Sequence, residues 1–144
     1  MIKINQNVNC ECLGKYISML YRQGRVFLSK EFNTLGIGSG QYLFLLQLYR
    51  KDGVTQEELS ESLLIDKGTT ARAISKLEEE GFVNKVKDEN DKRSNKIYLT
   101  EKAKENKQNV FDILNRWENV LIKDLTDEEK DIVKKVLRKI VQSI

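Results

Sequence analysis

The residues able to do chemistry in this 144-residue chain gather in two short stretches. Residues 67–76 hold Lys67, Arg72 and Lys76 with no acid, interleaved with Gly68, Thr69, Thr70 and Ser75. Asp66 just before them has the side chain of a helix N-cap. Ala71, Ile74 and Leu77 then recur at three-residue spacing as an inward stripe, which leaves the cations and hydroxyls largely outside it. Such a face suits duplex DNA. Cations meet phosphates, short side chains admit the backbone closely, and an arginine reaches O6 and N7 of guanine. The second stretch runs Lys87-Asp88-Glu89-Asn90-Asp91-Lys92-Arg93-Ser94. Asp91 can accept from the Arg93 guanidinium and hold it outward, and arginine suits a narrow minor groove. Singly, each stretch reads equally well as solvated surface. Together, at this spacing, they point to nucleic-acid binding, with Lys92 beside the arginine as a further contact.

Other chemistry has few carriers. There is no His, which removes the commonest general base and metal ligand. No phosphate-cradling glycine motif and no metal-ligand cluster stands out, so an enzyme is not expected, nor a cofactor or metal. Cys10 and Cys12 are too few and too close for a disulfide framework or a four-ligand zinc site. The formal net charge of +3 does not argue for nucleic acid by itself. From Val54 to Thr100 there are eight basic and ten acidic residues, a surplus that also admits a protein-interaction module without DNA. The acids, however, cluster at Glu57, Glu58 and Glu61 and at Glu78, Glu79 and Glu80, away from residues 67–76.

Elements must position these stretches. Hydrophobic residues make up 40% and charged residues 33%, too apolar and too balanced for disorder. Neither a membrane-length apolar run nor a secretory signal is visible, so a soluble cytoplasmic protein is expected. The absence of Pro fits a helical chain. After a polar arm over residues 1–10, Leu13, Tyr16, Ile17, Leu20, Phe27 and Leu28 predict a helix to about Phe32. Gly36-Ile37-Gly38-Ser39-Gly40 breaks it. Residues 41–50 are apolar nearly all round and predict a buried central helix. Thr55-Gln56-Glu57-Glu58 is a capping box opening a short helix that ends near Leu63. A helix over about 67–80 stops at Gly81. Alternation over 82–86 and 97–99 predicts a hairpin with a long charged tip. Thr100 caps a long helix to about Lys123, and Thr126-Asp127-Glu128-Glu129 opens a last one with Ile132, Val133, Val136, Leu137, Ile140, Val141 and Ile144 as its stripe. Short helix, tight turn, polar-faced helix and hairpin make a winged helix-turn-helix. The fold class expected is mostly α with a small β-hairpin wing, in one unit over 1–144. Its DNA-binding lobe is placed at about 54–100, with helices for dimerisation at about 10–34 and 101–144. Amphipathic terminal helices that a compact winged module cannot cover suggest packing across a two-fold axis.

Three blocks carry a family resemblance: Thr55-Gln56-Glu57-Glu58-Leu59-Ser60, the run from Asp66 through Arg72 and Gly81 to Val83, and Asp91-Lys92-Arg93-Ser94-Asn95-Lys96-Ile97-Tyr98-Leu99-Thr100. In this order and spacing the chain resembles the MarR (multiple antibiotic resistance regulator) family of transcription factors. The resemblance implies a triangular homodimer binding a pseudo-palindromic operator. The two helices at 67–80 would lie in successive major grooves, with half-sites about 10 bp, roughly 34 Å, apart. Arg93 would enter the minor groove with Asp91 orienting it. Lys67, Gly68, Thr69, Thr70, Arg72, Ser75, Lys76 and Lys92 are the other implied contacts. It also implies a regulator, most often a repressor, released by a small aromatic or phenolic acid in a cleft to which Tyr16, Tyr21, Arg25 and Tyr42 could contribute. A further branch of the family senses peroxide through a first-helix cysteine. Cys10 and Cys12 fall upstream of that position, which coincides with Gly14. Gly38 and Gly40 stand where many relatives have a loop proline.

Overall fold

The computed structural model describes residues 3–4 and 11–144. Cys10 lies outside that range. The chain order is α1 (Leu13–Asn33), α2 (Tyr42–Arg50), β1 (Val54–Thr55), α3 (Gln56–Leu63), α4 (Lys67–Glu79), β2 (Val83–Lys87), β3 (Asn95–Leu99), α5 (Glu101–Glu105), α6 (Lys107–Ile122) and α7 (Asp127–Gln142).

The starts of the helices follow from local hydrogen bonding. Thr55 Oγ1 accepts from the Glu58 N–H at 3.1 Å while Glu58 accepts from the Thr55 N–H. Thr126 and Glu129 repeat that reciprocal pair at α7. Each satisfies two donors that a helix start otherwise leaves open. The chain turns from α3 into α4 through Leu64, whose φ of 55° is left-handed. The Ser60 hydroxyl, donating to the Ile65 carbonyl, closes that turn from within. Gly81, at φ 81°, ends α4 as its lack of a Cβ allows.

One core joins these elements. Phe32 of α1, Phe44, Leu45 and Leu48 of α2, Leu59 of α3, Ile74 and Leu77 of α4, and Ile97 of β3 are fully buried together. The helix α2 is therefore the buried centre its sequence predicts. The inner face of α4 is Thr70, Ala73, Ile74 and Leu77, a spacing of three, four and seven residues, and not the stripe through Ala71. Ala71 lies one residue, or about 100°, off that face.

Two further features depart from the sequence expectation. The sheet has three strands, in the order β1-β3-β2 and antiparallel throughout. Val54 and Thr55 pair with Ile97 and Lys96, so the wing is stitched to the strand that opens α3. The long helix predicted after Thr100 is interrupted at Asn106. There the Tyr49 hydroxyl donates to the Ala103 carbonyl, and the Asn106 amide takes the Lys102 carbonyl. Ala103 is the acceptor an unbroken helix would offer to the Lys107 N–H, so side chains compete with the ladder at that turn.

Arg116 binds Glu31 at 2.9 Å and ties α6 to α1; Lys134 binds Glu118 at 2.7 Å and ties α7 to α6. The apolar stripe of α7 remains exposed along its whole length, as do Leu13, Tyr16, Ile17 and Leu20 of α1.

Candidate nucleic-acid interface and adjoining cleft

The exposed side of α4 carries Lys67, Gly68, Thr69, Arg72 and Lys76. Asp66 caps the helix by accepting from the Thr69 N–H at 2.7 Å, and its second oxygen accepts from the Thr69 hydroxyl at 2.7 Å. Those two bonds, led by the backbone one, hold the Asp66 carboxyl below its ordinary pKa. The same Thr69 hydroxyl accepts from Arg72 Nη2 at 3.1 Å.

Thr70 does not belong to this face. It is 0% exposed and points into the core, so its expected role as a DNA contact is withdrawn. Ser75 is half-buried and accepts from Lys85 Nζ of β2 at 3.1 Å, which makes it a brace between α4 and the wing. The acid surplus of the lobe is drawn into ion pairs beside this face: Lys67 with Glu57 at 3.4 Å, Lys76 with Glu79 and Glu80, and Lys85 with Glu78. Pairs this exposed are worth little and yield readily to a phosphate.

At the wing tip Asp91 works differently from the expectation. Its carboxylate accepts from the backbone N–H of Arg93 at 3.0 Å and from the Ser94 hydroxyl, while the Ser94 N–H returns to the Asp91 carbonyl. Asp91 thus builds the turn that presents Arg93, and it makes no ion pair with the guanidinium. Arg93 and Lys92 are exposed. Lys67 and Arg93, together with Gln56, Glu57, Ser94 and Asn95, line one notch of about 200 Å³. The fold therefore brings the start of α4, the start of α3 and the wing to a single cationic surface feature.

A larger cleft of about 510 Å³ lies between α1, α2, the α3–α4 turn and α6. Of the four residues that the family resemblance suggested for a ligand cleft, Tyr21, Arg25 and Tyr42 line this one; Tyr16 does not and is exposed elsewhere on α1. Burial, and after it the neighbouring Tyr21, raises the Tyr42 pKa. Sequence reasoning missed Trp117, Ser39, Gly40 and Thr69 on the cleft walls. The signal for Trp117 was Gly24: a Cβ there would stand 3.0 Å from the indole, so the glycine is what admits the ring against α1.

The MarR family model matches residues 37–95, the part of the chain that holds α2, β1, α3, α4, β2 and the wing tip and ends where β3 begins. The uncharacterized HTH-type transcriptional regulator YybA of Bacillus subtilis (strain 168) is 36% identical over 132 residues, covering 89% of this chain and 85% of that one. The chain belongs to the MarR family. The solved structure of a MarR transcriptional regulator from Methanosarcina mazei Go1 superimposes with a TM-score of 0.86 at 44% identity, over 91% of this chain and 94% of its own. A MarR family regulator from Listeria monocytogenes, crystallised with 26mer DNA, superimposes with a TM-score of 0.86 at 26% identity, over 93% and 89%. This MarR-family protein is accordingly a transcriptional regulator with a winged helix fold and not an enzyme. Among its described residues no helix is long and apolar enough to cross a membrane.

Proposed function

We propose that this MarR-family chain acts as a homodimeric repressor on a pseudo-palindromic operator and is released by a small aromatic or phenolic acid. Two copies of α4 enter successive major grooves, and Arg93 of each wing enters the flanking minor groove. The observation that carries the reading is the shared notch. Lys67 from the helix and Arg93 from the wing face one feature, where one phosphate run can meet both. Lys67 is 80% exposed at its side chain and, among the described residues, held only by the exposed Glu57. The Listeria relative, crystallised with 26mer DNA, supports duplex DNA as the partner. The unpartnered apolar faces of α1 and α7 supply the surface a two-fold partner would cover.

The cleft supports the effector half of the reading. Leu20, Leu28, Leu43, Ile65 and Trp117 give it apolar walls, and Arg25 supplies a cation for a carboxylate. Trp117 is the only tryptophan, so its fluorescence reports occupancy directly.

The test is binding to duplexes selected from a random pool. The expected dissociation constant lies at about 10⁻⁸–10⁻¹¹ M and rises steeply with salt. Arg93→Ala is expected to weaken binding about tenfold or more with an unchanged melting temperature. Full affinity in that variant would take the wing out of the interface. Titration with aromatic carboxylic acids should quench or shift Trp117 and release the duplex over the same concentration range.

A further inference from the structure

We propose that Asp66 and Thr69 are positioning residues for Arg72, and that Thr69 carries occupancy of the cleft to it; the inference rests on α4 being the DNA-reading helix. The three side chains form a directed chain. A guanidinium only donates and a carboxylate only accepts. The one hydroxyl between them must therefore give its hydrogen to Asp66, at 2.7 Å, and its lone pair to Arg72, at 3.1 Å. Asp66 is itself anchored, since its other oxygen takes the Thr69 N–H at 2.7 Å. The guanidinium is folded back over Gly68, where Nη1 stands 3.4 Å from the position a Cβ would occupy. The bond to Thr69 uses one of the five guanidinium donors and leaves the remainder for guanine or phosphate.

An arginine held in this way has given up part of its rotamer freedom before DNA arrives. Losing the tether is expected to weaken binding about two- to tenfold. The surrounding charge fits the assignment: attraction to Arg72 is one of the causes that keep the Asp66 carboxyl ionised.

Thr69 also stands on the cleft wall, with Ser39, Gly40, Tyr42, Leu43 and Ile65. The threonine hydroxyl that aims Arg72 therefore belongs to a residue that an occupant of the cleft touches. Only one side chain separates the cleft from the base-reading arginine. A small displacement of Thr69 breaks a bond on either side of its oxygen, and the two sites are thereby coupled.

The first experiment is a double-mutant cycle on a duplex selected by the wild-type chain, read by fluorescence anisotropy at fixed salt. Thr69→Val should weaken binding about two- to tenfold beside the native Arg72 and cost nothing further in Arg72→Ala. Thr69→Ser, which keeps the hydroxyl, should restore affinity. Asp66→Ser, which keeps a capping oxygen but is too short to hold the Thr69 hydroxyl, should behave like Thr69→Val. An equal loss from Thr69→Val in both backgrounds would overturn the positioning role. If Arg72→Ala alone leaves both affinity and salt dependence untouched, the DNA reading of α4 is what fails, and the relay falls with it.

The second experiment fills the cleft without a natural ligand. A Cβ at Gly40 meets nothing within 4 Å, so Gly40→Cys is accommodated there. In a background of Cys10→Ser and Cys12→Ser, alkylation of that thiol with N-phenylmaleimide places an aromatic ring in the cleft. The adduct should weaken DNA binding severalfold when Thr69 is present and have no effect in Thr69→Val. An adduct that acts equally on both chains, or on neither, removes Thr69 from the coupling.

Discussion

One buried and one half-buried polar group show how closely single residues are specified. The Thr70 hydroxyl is fully buried and has no hydrogen-bond partner among the described residues. A buried hydroxyl without a partner is costly, and valine has nearly the same shape. Thr70→Val should therefore raise stability by about 1 kcal/mol in chemical denaturation and leave operator affinity unchanged. A loss of DNA binding in that variant would return Thr70 to the interface. Tyr49 is the opposite case, a satisfied group. Its hydroxyl donates to the Ala103 carbonyl, and burial pushes its pKa up to about 12 from 10.0. The folded chain holds that proton more tightly than the unfolded chain. The resulting stability is whole below pH 10 and is lost as pH rises through about 12. Tyr49→Phe should lower stability near neutrality by about 1 kcal/mol and flatten the alkaline limb of a stability–pH profile. An alkaline limb identical to that of the native chain would mean that Tyr49 does not govern it.

Elements were legible from sequence wherever a local rule sets them. Thr55-Gln56-Glu57-Glu58, Asp66 and Gly81 mark the ends of α3 and α4 by chemistry that acts over four residues, and the structure places those ends within one residue of expectation. What escaped was decided by distant partners. The two-residue β1 has no periodicity of its own and exists because Ile97 and Lys96 pair with it. The break at Asn106 depends on Tyr49, which is 54 positions from the Ala103 carbonyl it takes. The inward turn of Thr70 was hidden because threonine is equally at home outside, and only the position of Ala73 betrayed the true face. At the interface, the cations of α4 and the wing could be picked out by type. The tie of Ser75 to Lys85 and the backbone bond of Asp91 could not, because each depends on how the wing folds against α4. Gly24 tests this dependence on partners directly. Glycine inside a helix normally costs about 1 kcal/mol against alanine. Here a Cβ would come 3.0 Å from Trp117 Cζ2 and press the indole from its place 5.4 Å from Phe27. Gly24→Ala should thus lower the melting temperature, despite the helix propensity gained, and shift Trp117 fluorescence. A rise of the size that propensity alone gives would show that α6 yields freely and that the cleft wall is soft.

At the scale of the whole molecule, the deciding quantity is the apolar surface that one chain leaves in water. Ile132, Val133, Val136, Leu137, Ile140 and Val141 lie along one side of α7 with between 37% and 53% of their surface exposed. The exposed apolar residues of α1 add Leu13, Tyr16, Ile17 and Leu20 to this unpartnered surface. A contiguous apolar stripe of this length is uncommon on a monomer and fits a second copy of the chain, for which an isologous contact would bury both faces at once. Pairing has a consequence for DNA that no property of the lobe supplies. In the proposed dimer a single α4 and wing would reach one half-site, whereas two copies held rigidly would gain the second half-site at high effective concentration. A charge in the stripe separates these effects, because the core formed by Phe32, Phe44 and Ile74 lies elsewhere. Leu137→Asp should therefore leave the circular dichroism of the fold largely intact and halve the mass seen in sedimentation. It should also weaken binding to a full palindrome at least a hundredfold, while binding to an isolated half-site changes little. A Leu137→Asp chain that still sediments as a pair would place the two-fold contact on another face, and a separated chain that held the palindrome at native affinity would show that the two half-sites are read independently.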